Sequence, residues 1–159
     1  RLETPDRWAN VMHNFACAAQ VLGGQQNDPN IIQKSISACR NILEVRRPAT
    51  LPHHWAQTHN TLGSALFLLG KITNHQDYLI SAHDAFTTAH EFYVSNKLEK
   101  MAHVISRNIK HVETLLNDPR RLVNHYTNWQ ESSGEVESNL LDWKQNKSIK
   151  EVSQQALGQ

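Results

Sequence analysis

Several function classes are excluded by what this 159-residue chain lacks. It has no apolar run near the roughly 18 residues that a membrane span needs, so no membrane insertion is expected. It has no excess of one charge: 16 basic and 15 acidic residues leave a formal +1, which gives no electrostatic footing for nucleic acid. With two cysteines there is no disulfide framework, and Cys17 and Cys39 are expected to be buried free thiols. The chain also lacks a Gly-rich phosphate loop, a Gly-x-Ser-x-Gly elbow, a Cys-x-x-Cys and a His-Glu-x-x-His. No catalytic residues and no cofactor are expected. Ten histidines invite a metal reading, yet no His-x-x-x-His pair falls on a helix, His53 and His54 are adjacent, and His83 and His90 stand seven apart. A zinc site needs three or four converging ligands, so no metal site is expected. Several histidines changing charge between about pH 5 and 7 would weaken a partner interface.

What the chain does have is repetition. Trp8-Ala9 and Trp55-Ala56 open two segments, and Leu22-Gly23 and Leu69-Gly70 close them, at an offset of 47 residues. Five of the sixteen aligned positions are identical. A period of this size points to stacked helical hairpins. The apolar spacing is helical throughout, so the expected class is all-α. A first helix from about Pro5 to Leu22 carries Trp8, Met12, Phe15, Ala19 and Leu22 on one stripe, with Thr4 as N-cap and Gly23-Gly24 as its end. Asp28-Pro29 starts a second helix, with Ile32, Ser35, Ile36, Cys39, Ile42 and Leu43 inward. Pro52 to Leu69, stopped by Gly70, and Gln76 to Tyr93 repeat the plan. In the latter, Leu79, Ala82, Phe86, Ala89 and Tyr93 are inward. Residues 97–117 form a fifth helix led by a capping box, Asn96 with Glu99. Asp118-Pro119 opens a sixth with Leu122, Tyr126 and Trp129.

Three hairpins, at about 4–47, 51–94 and 96–131, thus make a domain over 1–131. Glu131-Ser132-Ser133-Gly134 reads as a linker. Residues 132–159 form an amphipathic helical tail that covers the end of the stack or docks elsewhere. The chain starts at Arg1 rather than Met, which suggests a piece of a longer protein. With no signal peptide visible, a cytoplasmic location is expected.

The segment Trp55-Ala56-Gln57-Thr58-His59-Asn60-Thr61-Leu62-Gly63-Ser64-Ala65-Leu66, with Leu69-Gly70, resembles the first helix of bacterial tetratricopeptide repeats (TPR). Leu79, Ala82, Phe86 and Ala89 resemble that family's second-helix signature. The family's unit is 34 residues, and this chain is a longer-period variant. The resemblance implies a short right-handed TPR-like solenoid with a C-terminal helical extension. It also implies that first helices line a concave, partner-binding face.

Offset 47 then supplies the rungs of that face: Asn10, Gln57 and Val104; His13, Asn60 and Arg107; Asn14, Thr61 and Asn108; Cys17, Ser64 and His111; Gln20, Phe67 and Thr114. The candidate partner-binding residues are Asn10, His13, Asn14, Gln57, Asn60, Ser64, Arg107 and His111. The groove is rich in amides, which both donate and accept, and poor in charge. It lacks the several basic residues of the family's carboxylate clamp, so no C-terminal carboxylate ligand is expected. Tyr126, Trp129 and Trp143 are candidate tail-interface anchors. The expected function is non-catalytic: a scaffold that holds a protein or peptide. The alternatives are self-assembly through the tail and a regulatory helical segment of a larger multidomain enzyme.

Overall fold

A computed structural model describes residues 4–118, and these are all-helical, with five α-helices and no strand among the described residues. The helices are α1 (Pro5–Gln26), α2 (Pro29–Val45), α3 (Pro52–Thr73), α4 (Gln76–Ser95) and α5 (Glu99–Leu116). Contacts divide the chain after Glu113 into one unit of Arg1–Glu113 and a second of Thr114–Gln159. The expected boundary near residue 131, the sixth helix, the linker and the tail lie outside the described residues.

Proline starts three of these helices, because its fixed φ suits the first turn and its missing N–H is not needed there. The Asp28 carboxylate accepts from the Asn30 and Ile31 amides at 2.8 and 3.4 Å, which satisfies two orphan donors of α2. Thr4 occupies the N-cap of α1 without a side-chain bond. Asn96 does not cap α5. It ends α4, where its side-chain amide donates to Phe92 O at 2.8 Å, and α5 begins at Glu99.

The glycines at residues 23 and 70 do not stop their helices, contrary to the sequence expectation. α1 continues to Gln26 and α3 to Thr73, and the left-handed residues that end them are Asn27 (φ 50°) and Asn74 (φ 55°), again 47 apart. Gly23 and Gly70 instead let the second helix approach. A Cβ at Gly23 would stand 2.7 Å from Ile32, and one at Gly70 2.9 Å from Leu79. Ile32 and Leu79 are themselves repeat equivalents. Further along α3, a Cβ on Gly63 would meet the Phe86 ring at 2.8 Å. At the matching positions of the first hairpin stand Ala16 and the smaller Cys39, both fully buried. A larger second-helix side chain is thus matched by a smaller first-helix one, as close packing requires.

These approaches run in opposite chain directions, Gly70 to Leu79 and Gly63 to Phe86, so α3 and α4 form an antiparallel pair. α1 and α2 do the same through Gly23 to Ile32 and through the Ser35 hydroxyl, which donates to Ala16 O at 2.8 Å. α2 also packs on α3, and α1 on α3. The cores of α2 and α4 largely follow expectation: Ile32, Ser35, Ile36, Cys39 and Ile42 are buried, as are Leu79, Ala82, Phe86, Ala89 and Tyr93, whereas Leu43, also expected inward, is half-buried. α1 differs. Its buried residues are the small ones, Ala9, Ala16, Ala19 and Gly23, while Phe15 and Leu22 are exposed. Trp8 and Trp55 are half-buried.

Arg46, in the link between the two hairpins, is 1% exposed. Its guanidinium donates to Asn10 Oδ1 of α1 at 2.6 Å and to Thr58 Oγ1 of α3 at 3.2 Å. The Thr58 hydroxyl in turn donates to His54 O at 2.7 Å. Burial lowers the Arg46 pKa, and the Asp6 carboxylate partly offsets this.

Candidate functional site

One cleft of about 170 Å³ opens between the first helices. Gln20 of α1, Ser64 and Phe67 of α3, and Asn108 and His111 of α5 line it. All five are rungs of the repeat ladder. Leu68 of α3 and Phe86 of α4 complete the wall. Phe86 reaches the cleft because Gly63, one residue before Ser64, leaves its ring room to lie against α3. The cleft is therefore lined by the apolar Phe67, Leu68 and Phe86 and by amide, hydroxyl and imidazole groups.

Of the eight residues singled out from the sequence, Ser64 and His111 meet in this cleft. Arg107 is exposed on α5, one turn before His111. Gln57 is exposed on α3, and Asn14 is exposed on α1. Asn10 is engaged internally by Arg46. His13 is half-buried, with its Nε2 3.7 Å from the Cys17 sulfur. Its pKa lies below the ordinary 6.5, first through burial and then through the neighbouring Arg46 and His54. Asn60 is half-buried, and its Oδ1 has no hydrogen-bond partner among the described residues. The rung residue Thr61 turns inward instead and bonds Gln57 O at 3.1 Å. Tyr126, Trp129 and Trp143 lie outside the described residues.

Two lining residues were not assigned to the site by sequence reading, Phe86 and Leu68. The signal was available at Gly63, since a glycine inside a helix marks a close approach.

The thiols are free. Cys39 is buried, and burial, with Cys17 nearby, pushes its pKa up to about 12, which keeps it protonated and unreactive. Cys17 is half-buried rather than buried. His59 packs edge-on against Trp55 with ring centres 4.6 Å apart, and burial lowers its pKa. His83 links α4 to α5, its Nε2 3.5 Å from Glu113 Oε1, with Asp84 Oδ1 3.9 Å from its other nitrogen. Among the described residues no three His, Cys, Asp or Glu side chains are grouped as metal ligands would be. Nor is any described helix long and apolar enough to cross a membrane.

No protein-family model, curated protein or solved structure matches the chain.

Proposed function

We propose that this chain is a TPR-like repeat module that holds a protein or peptide partner on the face lined by its first helices. The observation that carries this reading is the cleft, whose lining draws one or two residues from each of α1, α3 and α5 at ladder positions. A volume of about 170 Å³ is well under the roughly 300–1,000 Å³ typical of small-molecule sites. It fits one apolar or aromatic side chain. The lining residues Gln20, Asn108 and Ser64 offer donors and acceptors to the backbone on either side of such an anchor. With His111 the only ionisable group in the lining among the described residues, recognition would rest on shape and amide pairing rather than on charge. The module carries out no chemistry of its own in this reading, and it acts in the cytoplasm or as part of a longer chain.

A peptide-display selection on the immobilised chain tests this. Enriched peptides should share one apolar or aromatic anchor flanked by polar residues. Ser64→Trp, which fills the cleft, should lower their binding at least tenfold while leaving far-UV circular dichroism unchanged. Peptides that bind the Ser64→Trp chain equally well, or no enrichment at all, would remove the cleft from consideration as the binding site.

A further inference from the structure

Formal charge around the cleft is one-sided. From Trp8 to Gln26, α1 contains no Asp, Glu, Lys or Arg, and α3 contains none from Pro52 to Gly70. α5 gives Asn108 and His111 to the lining, and nearer its start it carries Arg107 and Lys100. At 100° per residue Lys100, Val104, Arg107 and His111 fall within an arc of about 60°. All four are exposed. At 1.5 Å per residue they make a stripe that leaves the cleft at His111 and runs roughly 16 Å along α5. The charge thus lies beside the cleft rather than in it.

Nothing of opposite sign on α5 cancels this stripe. Glu99 and Glu113 lie more than about 100° round the helix from its centre, and Glu113 is turned to His83 of α4 at 3.5 Å. The side chains of Lys100, Arg107 and His111 make no hydrogen bond or ion pair among the described residues. They do not hold α5 to its neighbours, so their charge is open to a partner. An exposed cation alone is ordinarily just solvated. These are aligned with one another and with the apolar cleft that their stripe enters.

We infer that the partner is an extended acidic peptide segment, with an aromatic side chain seated in the cleft and two of its carboxylates on Arg107 and Lys100. This rests on the cleft being the binding site. Helical rise puts Arg107 about 6 Å and Lys100 about 16 Å from the level of His111. An extended chain advances roughly 3.3 Å per residue, so the carboxylates stand about two and five residues from the anchor. Both lie on the same side of it, because α1 and α3 offer them no cation. The Arg107 guanidinium can take a carboxylate through two parallel bonds. Exposed pairs of this kind add little affinity each, and they act chiefly by choosing the partner and fixing its register. The carboxylates are side chains, so no chain end is needed.

Fluorescence anisotropy on the full chain tests this with two labelled, amidated probes, Trp-Ser-Glu-Ser-Ser-Glu and its reverse, Glu-Ser-Ser-Glu-Ser-Trp. Each is run beside a twin with Gln in place of Glu. One acidic probe should bind at least about fivefold more tightly than its twin in about 20 mM salt, and the advantage should fade by about 300 mM. Arg107→Glu should remove the advantage, and a probe with Lys in place of both Glu should then bind this variant better than the parent chain. Lys100→Glu should act in the same direction. Both positions are exposed, so neither variant should move the thermal melt. Twins that bind alike, an advantage indifferent to both reversals, or no binding by any probe would overturn the inference. Ser64→Trp separates it from the cleft itself. Twins that bind alike and are both weakened by Ser64→Trp leave the cleft as the site and remove the charged stripe. An acidic advantage untouched by Ser64→Trp would likewise overturn the joint site, since the carboxylates would then bind without the anchor.

Discussion

α1 and α3 begin with the same Trp-Ala, end at the same asparagine position and bury the same alanine, Ala9 and Ala56. Nevertheless α3 buries nine residues and α1 four. The difference lies almost wholly on one face, where Thr58, Leu62, Ala65 and Leu69 have a neighbouring hairpin and Val11, Phe15, Ala18 and Leu22 do not. A helix's sequence thus specifies which face is apolar, and its place in the array decides whether that face is covered. Stability in such a stack belongs to interfaces as much as to helices.

The equivalence of Leu62 and Phe15 gives the widest expected contrast. Leu62→Ala opens a cavity between packed helices and should cost about 2–5 kcal/mol in denaturant unfolding. Phe15→Ala, at an exposed position, should stay within about 0.5 kcal/mol. Equal losses would mean that the first helix is covered within a single chain.

Gly63 comes next. Gly63→Ala drives a methyl toward the Phe86 ring and should cost about 1–3 kcal/mol despite alanine's better helix propensity. Phe86→Leu in the same chain should recover part of that loss, a coupling that a double-mutant cycle measures. At the matching position of α1, Ala16 is already tolerated opposite the smaller Cys39, so without coupling the size compensation between repeats fails.

Arg46 sharpens the comparison at the joint between the two helices. Arg46→Ala should cost about 1–3 kcal/mol, by vacating buried space and leaving Asn10 and Thr58 without their donor. Arg46→Met keeps the volume and removes the desolvated charge, and it should stay within about 1 kcal/mol of the parent. Thermal or urea unfolding of both variants decides between packing and charge as the main contribution.

The smallest effect is set by pH. Burial holds His59 and His13 below the ordinary 6.5, so the unfolded chain takes up protons first as pH falls. Their contribution is fully present above about pH 6.5 and is lost on acidification through that value and the lower folded ones. The melting temperature should therefore decline from pH 7.5 to 5.5. In His59→Gln the decline should be shallower, and an unchanged slope would assign it to other groups.

The period, most of the inward faces of α2 and α4, and the Asp28 cap were legible in the residues, because each is a local pattern with a fixed helical spacing. The α1 face was not. Periodicity gave the stripe of Phe15 and Leu22, but nothing local records whether a neighbour lies beyond it. Gly23 and Gly70 were read as helix ends, since a glycine near a terminus serves either as a cap or as a close approach. The repeat of Asn27 at Asn74 was the sign that the cap lay further on. Five of the seven lining residues of the cleft were legible as ladder positions of the first helices. Phe86 was not, because it belongs to a second helix and is brought forward by the absent side chain of Gly63. Arg46 was not singled out in the sequence, since it lies past the periodic part of the second helix and just before Arg47-Pro48. Its repeat equivalent is Tyr93, also buried, so a large side chain at that position closes the hairpin in both units.

Arg46 has one more consequence. It belongs to neither hairpin's helices, yet its two donated bonds tie α1 to α3 across the link. Fraying of the first hairpin away from the second would strand a guanidinium that has no other hydrogen-bond partner among the described residues. Partial opening at this joint is therefore penalised more than the neighbouring apolar contacts alone would require. The amides of α1 and α3 should thus exchange with solvent in a single cooperative event, so that two repeats similar enough to act independently open as one.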